Sequence, residues 1–172
     1  QLGQSLDGRI ATPSGASRWI NGSAALDHLH RLRANVDAVV VGAGTVGEDD
    51  PLLTVRRVRG PHPARVVIDP NGRVKHAAKC FARDGTRCLI VRADAGVTPD
   101  GTESVIVLRE DGHIPPGGIV RALFALGLRK ILIEGGAKTV SAFIDSGVVD
   151  RLHVLVAPVI RGSGISGLSL AP

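Results

Sequence analysis

Ala38-Val39-Val40-Val41-Gly42-Ala43-Gly44-Thr45-Val46-Gly47 runs four apolar residues straight into a glycine-rich turn. A strand that is apolar at consecutive positions must bury both faces, which is the condition of a parallel sheet covered by helices on each side. The glycines spell G-x-G-x-x-G, the pattern that brings backbone close to a dinucleotide pyrophosphate, and Asp69 closes a later strand where an acid would meet a ribose. That fingerprint also needs a helix behind the glycines. Pro51, Pro61 and Pro63 interrupt the segment from 48 to 64, so no long crossover helix fits there. The stretch therefore predicts a buried parallel strand and a close backbone approach to a nucleotide, but not a Rossmann site.

Outward from it, short β-branched runs recur at Arg65–Ile68, Cys88–Val91, Ser104–Leu108 and Lys130–Ile133. Helical spacing covers Ala24–Ala34, with Ser23 as the expected N-cap, then Gly118–Leu126 and Thr139–Ser146, stopped by Gly127 and Gly147. Leu2–Leu6 and Arg9–Thr12 flank Asp7-Gly8, a dipeptide suited to a tight hairpin turn. Arg151–Ile160 predicts one long strand. Strands alternating with helices give an α/β fold with a mostly parallel central sheet flanked by helices, in a single domain over 1–172.

With three Phe, one Trp and no Tyr or Met, the core has to be built from Val, Ile, Leu and Ala. No apolar stretch approaches the length of a membrane span, and no secretory segment opens the chain. The cytoplasm is the expected location, with no membrane partner. The net charge of +5 favours anionic partners. Scarce aromatics argue against nucleic acid, which leaves phosphorylated metabolites or dinucleotides.

Glu134-Gly135-Gly136-Ala137-Lys138-Thr139 joins a buried strand to a helix. Small residues there expose backbone N–H groups at the positive end of the helix, a ready anion site, although an ordinary β–α turn needs glycine as well. Glu134 closes its strand at the carboxyl end, where α/β sheets bind ligands, and a solvated rim carboxylate is the plainer reading. Trp19 sits beside a polar turn, either walling a nicotinamide or covering the core. Asp49-Asp50-Pro51 has no third ligand beside it and fits a turn. His28, His30, His62, His76, His113 and His153 lack metal-ligand spacing. Cys80 and Cys88 fit ordinary buried positions. No metal is expected.

Three stretches together resemble a known family: Ser5-Leu6-Asp7-Gly8-Arg9-Ile10-Ala11; His30-Arg31-Leu32-Arg33 through Val41–Val46 to Asp49-Asp50-Pro51-Leu52-Leu53-Thr54-Val55-Arg56; and Ile133-Glu134-Gly135-Gly136 with Val149-Asp150-Arg151-Leu152 and Val156-Ala157-Pro158. They are similar to the C-terminal reductase domain of the bifunctional riboflavin biosynthesis deaminase-reductase, over nearly the whole chain. The resemblance implies a dihydrofolate-reductase-like fold, a homodimer, and NADPH reduction of a ribosylaminopyrimidine 5′-phosphate to its ribitylamino product. It implies that Gly3, Trp19, Thr45 and Asp49 contact the cofactor and that Gly135, Gly136, Ala137, Lys138 and Thr139 cradle its phosphates. Ser17, Arg33, Leu53 and Arg56 would hold the substrate, the two arginines suited to its phosphate, while Glu134, as the catalytic residue, would meet the sugar or pyrimidine and help orient the imine.

The chain departs from that family at Gln1, where lysine is common, at Asn21, where threonine is common, and at Pro70, where a cofactor-binding serine stands. These departures motivate a rival reading, a same-fold NADPH reductase of another imine or carbonyl such as a pterin. A non-catalytic nucleotide-binding protein is the reading from a different class. No deaminase zinc motif is present in this stretch, and further residues are expected beyond one or both ends.

Overall fold

The computed structural model describes residues 1–14 and 22–171. Its centre is a five-stranded, all-parallel sheet. Strands β3 (Ala38–Gly42), β4 (Ala64–Ile68), β5 (Cys88–Arg92), β6 (Glu103–Ile106) and β7 (Ile131–Ile133) lie in the order β6-β5-β4-β3-β7. Strand β3 is the hub, pairing in parallel with β4 on one side and β7 on the other. Its consecutive valines alternate between two cores. Val40 joins Val66, Leu89 and Val91 beneath helices α3 (Pro116–Ala125) and α4 (Ala137–Asp145), through Ile119, Leu123 and Phe143. Val39 and Val41 join Val67, Ile90 and Leu132 on the other face, covered by Leu29 and Leu32 of α1 (Ser23–Ala34), Val46 of α2 (Ala43–Asp49) and Phe81 of a 3₁₀ turn. The α/β, mostly parallel architecture expected from the sequence is borne out.

The N-terminal strands differ from expectation. The Asp7-Gly8 turn forms, with the Gly8 N–H on the Ser5 carbonyl, but β1 (Leu2–Ser5) and β2 (Arg9–Ala11) do not pair as a hairpin. Strand β1 runs parallel to β8 (Val154–Ala157), and β2 pairs antiparallel with β9 (Ile165–Ser166). Side chains redirect the turn. The Ser5 hydroxyl, not a ladder carbonyl, accepts the Arg9 N–H, and the Asp7 carboxylate takes the backbone N–H groups of Arg161 and Gly162. The Gln1 backbone nitrogen donates to the Ile133 carbonyl at 2.7 Å, which ties the residue before β1 to the end of β7.

A short helix, α2, starts within the G-x-G-x-x-G stretch and takes in Gly44 and Gly47, while no long crossover helix forms, as the prolines imply. Helix α2 is seven residues long and stops where Asp50 enters the left-handed region at φ 42°. The prolines act beyond it, where the chain stays irregular as far as Pro63. The expected long strand at 151–160 is ordered as strand only over Val154–Ala157. Helix α1 is capped by Gly22, while the Ser23 hydroxyl accepts a hydrogen bond from Arg57 instead. Cys80 and Cys88 are both buried free thiols. Among the described residues no helix is long and apolar enough to cross a membrane.

Candidate active site

The carboxyl ends of the parallel strands open into a cleft of about 1050 Å³. Two glycine turns form its floor. The junction of β3 and α2 places Gly42 at the strand end and Gly44 and Thr45 in the first turn of the helix, and the junction of β7 and α4 places Gly135 and Gly136 before the helix and Ala137, Lys138 and Thr139 in its first turn; all line the cleft. The turns interlock. Gly136 donates its N–H to the Thr45 hydroxyl at 3.1 Å. A Cβ on Gly135 would fall 2.8 Å from the Thr45 Oγ1, and one on Gly42 would fall 2.5 Å from the Thr139 Oγ1. Each threonine thus occupies the space that the other turn's glycine leaves. No side chain caps the nine-residue α4, so its first-turn N–H groups and the positive end of its dipole are open to an anion. Helix α4 begins at Ala137, two residues before the position expected from the sequence.

Glu134 stands just before this turn and is 6% exposed. Arg33, on α1, meets it with two parallel bonds, Nε to Oε1 at 2.8 Å and Nη2 to Oε2 at 2.7 Å. The third Arg33 nitrogen, Nη1, donates to the Thr54 carbonyl at 3.1 Å. One guanidinium therefore ties helix α1, strand β7 and the loop after α2 together. That loop carries Leu53, whose side chain lies in the core and whose backbone is left-handed at φ 56°. It also carries Arg56, whose Nη1 donates to the Thr54 hydroxyl at 2.8 Å. Burial, with Arg33 nearby, lowers the Arg56 pKa from its ordinary value, and no carboxylate pairs with it among the described residues.

His30 holds the same loop from beneath. It is 3% exposed, and its Nδ1 accepts the Arg56 N–H at 2.9 Å. Burial, reinforced by Arg33 and Arg56, lowers its pKa to about 4. In the unfolded chain a histidine titrates near ~6.5. Between those two values the unfolded state binds a proton that the folded state refuses, so stability falls as the pH drops through this window and levels off below it. His30→Asn keeps an acceptor but removes the titration. Its urea midpoint is expected to fall less than the wild-type midpoint between about pH 7 and about pH 4.5. Equal falls would release His30 from this role.

Of the cofactor candidates, Gly3, Thr45, Asp49, Gly135, Gly136, Ala137, Lys138 and Thr139 all line the one cleft. Of the substrate candidates, Arg33, Leu53 and Arg56 cluster with Glu134 at its side rather than along its lining. Ser17, Trp19 and Asn21 lie outside the described residues. Asp69, read as a possible ribose ligand, is fully buried: its two oxygens accept the backbone N–H groups of Arg73 and Val74, each at 2.9 Å. The cleft also holds Asn71, Arg73 and Arg109, which the sequence reading passed over, and His113, which it weighed only as a metal ligand. Their one available signal was position, since they follow the carboxyl ends of β4 and β6.

A family model described as the RibD C-terminal domain matches residues 1–169. The chain belongs to the RibD C-terminal domain family. Within it, the riboflavin biosynthesis protein RibD of Aquifex aeolicus is 34% identical over 171 residues, covering 95% of this chain and 46% of that protein. A protein of Methanothermobacter thermautotrophicus named 2,5-diamino-6-ribosylamino-4(3H)-pyrimidinone 5′-phosphate reductase is 33% identical over 168 residues, covering 91% of this chain and 75% of the relative. Among solved structures, a diaminohydroxyphosphoribosylaminopyrimidine deaminase/5-amino-6-(5-phosphoribosylamino)uracil reductase from Thermotoga maritima superposes with a TM-score of 0.85 at 30% identity, over 96% of this chain and 46% of that one. This RibD C-terminal domain chain spans about half the length of the first curated relatives that it matches. The fold is the dihydrofolate-reductase-like one that the sequence resemblance implied.

Proposed function

We propose that this chain reduces a ribosylaminopyrimidine 5′-phosphate to its ribitylamino product with NADPH, as a step of riboflavin biosynthesis. The observation that carries the reading is the side-by-side placement of two anion-seeking features. The uncapped α4 start lies over interlocked glycine turns, and the carboxylate-free Arg56 lies on the loop tied to Glu134 by Arg33. The first suits a dinucleotide pyrophosphate and the second a substrate phosphate. The cleft volume fits a dinucleotide beside a second ligand's reacting end.

When bound, NADPH supplies a hydride. The substrate's ribose ring opens as the bond between C1 and the ring oxygen breaks and the exocyclic N–H proton passes to that oxygen, leaving an imine between the nitrogen and C1. The hydride would add to C1 and a proton to the nitrogen. The chain's residues align the two partners and exclude competing water. Glu134 acts by holding position: Arg33 takes one acceptor site on each carboxylate oxygen, which leaves further lone pairs for a sugar hydroxyl. Water or a substrate hydroxyl delivers the proton. Gly3 and Asp49 border the dinucleotide, and Lys138 and Thr139 its phosphates. A second copy of the chain fits the β8 edge, where Leu152, Val154 and Val156 are exposed. The reaction belongs to the cytoplasm, where NADPH and sugar phosphates are held.

Gln1 lines the cleft, so a neutral amide stands where the resemblance implies a lysine ammonium. This favours, as the second reading, a same-fold NADPH reductase of a different imine or carbonyl such as a pterin. NADPH oxidation by the purified protein with the ribosylaminopyrimidine 5′-phosphate, beside a no-substrate control, separates the two. Turnover is expected. A folded protein that binds NADPH without turning over this substrate would move the assignment to the second reading.

Arg56→Ala is expected to raise KM for the phosphorylated substrate by roughly tenfold to a hundredfold, the worth of one or two charge-assisted bonds. The dephosphorylated analogue should be unaffected. Equal effects on both would take Arg56 out of the phosphate site.

A further inference from the structure

We infer that His30 and His62 position the substrate-phosphate site by accepting consecutive backbone N–H groups of the loop that carries Arg56. The inference rests on the reading above that Arg56 takes the substrate phosphate.

From Asp50 to Pro63 the chain has neither helix nor strand to hold it. It nevertheless keeps a backbone that a free loop would not keep. Leu53 is left-handed at φ 56° with its side chain sealed in the core, and such a residue persists only where its surroundings over-determine it. Here they do so through a row of long-range bonds, one to each of the next three residues. The Thr54 carbonyl accepts from Arg33, the Val55 N–H donates to the His62 Nδ1 at 3.1 Å, and the Arg56 N–H donates to the His30 Nδ1 at 2.9 Å. The Arg56 guanidinium is then fixed from this backbone by its bond to the Thr54 hydroxyl, which leaves further N–H groups for an anion.

Helix α1 reaches the loop with one stripe. Asp27, His30 and Arg33 follow the three-residue spacing that puts side chains on one helix face, and they hold Arg57, Arg56 and Thr54 respectively. The outer two act through ionised groups. At the middle position a charge of either sign would fail. A cation could not accept the Arg56 N–H, and a carboxylate would draw the Arg56 guanidinium away from a phosphate. A neutral imidazole accepts at Nδ1 and adds no charge. Burial, reinforced by Arg33 and Arg56, lowers the His30 pKa to about 4, so His30 stays an acceptor at neutral pH. His62 closes the other end of the loop and is exposed. Just before it, Gly60 lies so near α1 that a Cβ would fall 2.6 Å from the Ala34 Cβ, and this close approach brings the returning chain within reach of Val55. Neither imidazole lines the cleft, so both act through Arg56 rather than on the ligand.

Calorimetry with ribose 5-phosphate beside ribose reads the phosphate site without turnover. The wild-type protein is expected to prefer the phosphate ester by about tenfold or more. His30→Leu fills the space of the ring without an acceptor, and His62→Ala removes an exposed ring without opening a core cavity. Each should weaken ribose 5-phosphate about threefold to tenfold, the worth of one hydrogen bond, and leave ribose unchanged. Asparagine carries its oxygen near the position of Nδ1, so His30→Asn and His62→Asn should keep the wild-type preference. His30→Gln, whose amide reaches towards Nε2 instead, should not. In turnover, His30→Leu and His62→Ala should raise KM for the phosphorylated pyrimidine while kcat and the KM for NADPH stay level; a merely structural role would move all three together. Preference unchanged in both variants, a loss that asparagine does not repair, or a wild-type protein that binds ribose and its phosphate alike would overturn the inference. Turnover of the pyrimidine beside any of those results would keep the proposed function. A protein that follows the expected binding series but does not turn over the pyrimidine would lose that function and keep these two positioning residues.

Discussion

Arg33→Met is expected to lower the unfolding free energy by about 3–5 kcal/mol, the usual consequence of stripping one partner from a buried pair. Arg33 and Glu134 are 7% and 6% exposed, and two parallel bonds join them. Without the guanidinium, the Glu134 carboxylate faces a dry interior and has to remain uncompensated or take up a proton. Removing both charges, in Arg33→Met with Glu134→Leu, should recover most of the loss. Urea unfolding of the two variants beside the wild type checks both expectations. A single variant within about 1 kcal/mol of wild type, or a double variant no better than the single, would show the pair to be poorly desolvated. Restored stability is not expected to bring back turnover, since the double variant leaves nothing to hold the Thr54 carbonyl or a sugar hydroxyl.

The second large effect is expected at Gly135, whose φ of 119° is one that a side chain rarely adopts and whose missing Cβ is 2.8 Å from the Thr45 hydroxyl. Gly135→Ala combines backbone strain of about 1–3 kcal/mol with a clash that drives Thr45 off the Gly136 N–H. NADPH affinity is expected to fall at least tenfold, about 1.4 kcal/mol, because the two turns would no longer meet. Adding Thr45→Ala relieves the clash but not the strain, so only part of the affinity should return. Thr45→Ala alone should cost about 1 kcal/mol, the net worth of one hydrogen bond. Titration calorimetry with NADPH decides the matter: wild-type affinity in Gly135→Ala would mean that the interlocked turns do not hold the cofactor.

Local chemistry explains which parts of this architecture were legible in the sequence. Val39, Val40 and Val41 had to be buried on both faces, and that alone required a covered parallel strand. The glycines of 42–47 and 135–136 marked the two turns, because backbone shape there depends on glycine itself. The Rossmann alternative was rightly set aside, yet α2 was missed: the prolines lie beyond Asp50, and a seven-residue helix needs no more room than they leave. The Arg33–Glu134 pair spans 101 positions, and no local pattern reveals that a predicted phosphate ligand already holds a carboxylate. Asp69 looked available because it ends a strand, but its burial depends on the turn that follows. Arg73 and Arg109 carry no motif at all and line one cleft only because β4 and β6 end at the same rim. The expected hairpin failed for a similar reason, since the partners that redirect residues 5–9 sit more than 150 positions away.

The parallel pairing of residues 2–5 with residues 154–157 has a consequence in time. As the chain is made from its N-terminal side, β3, β4 and β5 can find one another while the strand that carries Gly3 still has no partner. Closing so long a loop is slow, and the entropy is lost before any contact rewards it. The rim that Gly3 gives to the cleft is thus among the last surfaces to be set. A chain in which everything except this closure has folded would hold a formed sheet and interlocked turns beside an unfinished wall, and the wall would be completed only when residues 154–157 pair with residues 2–5.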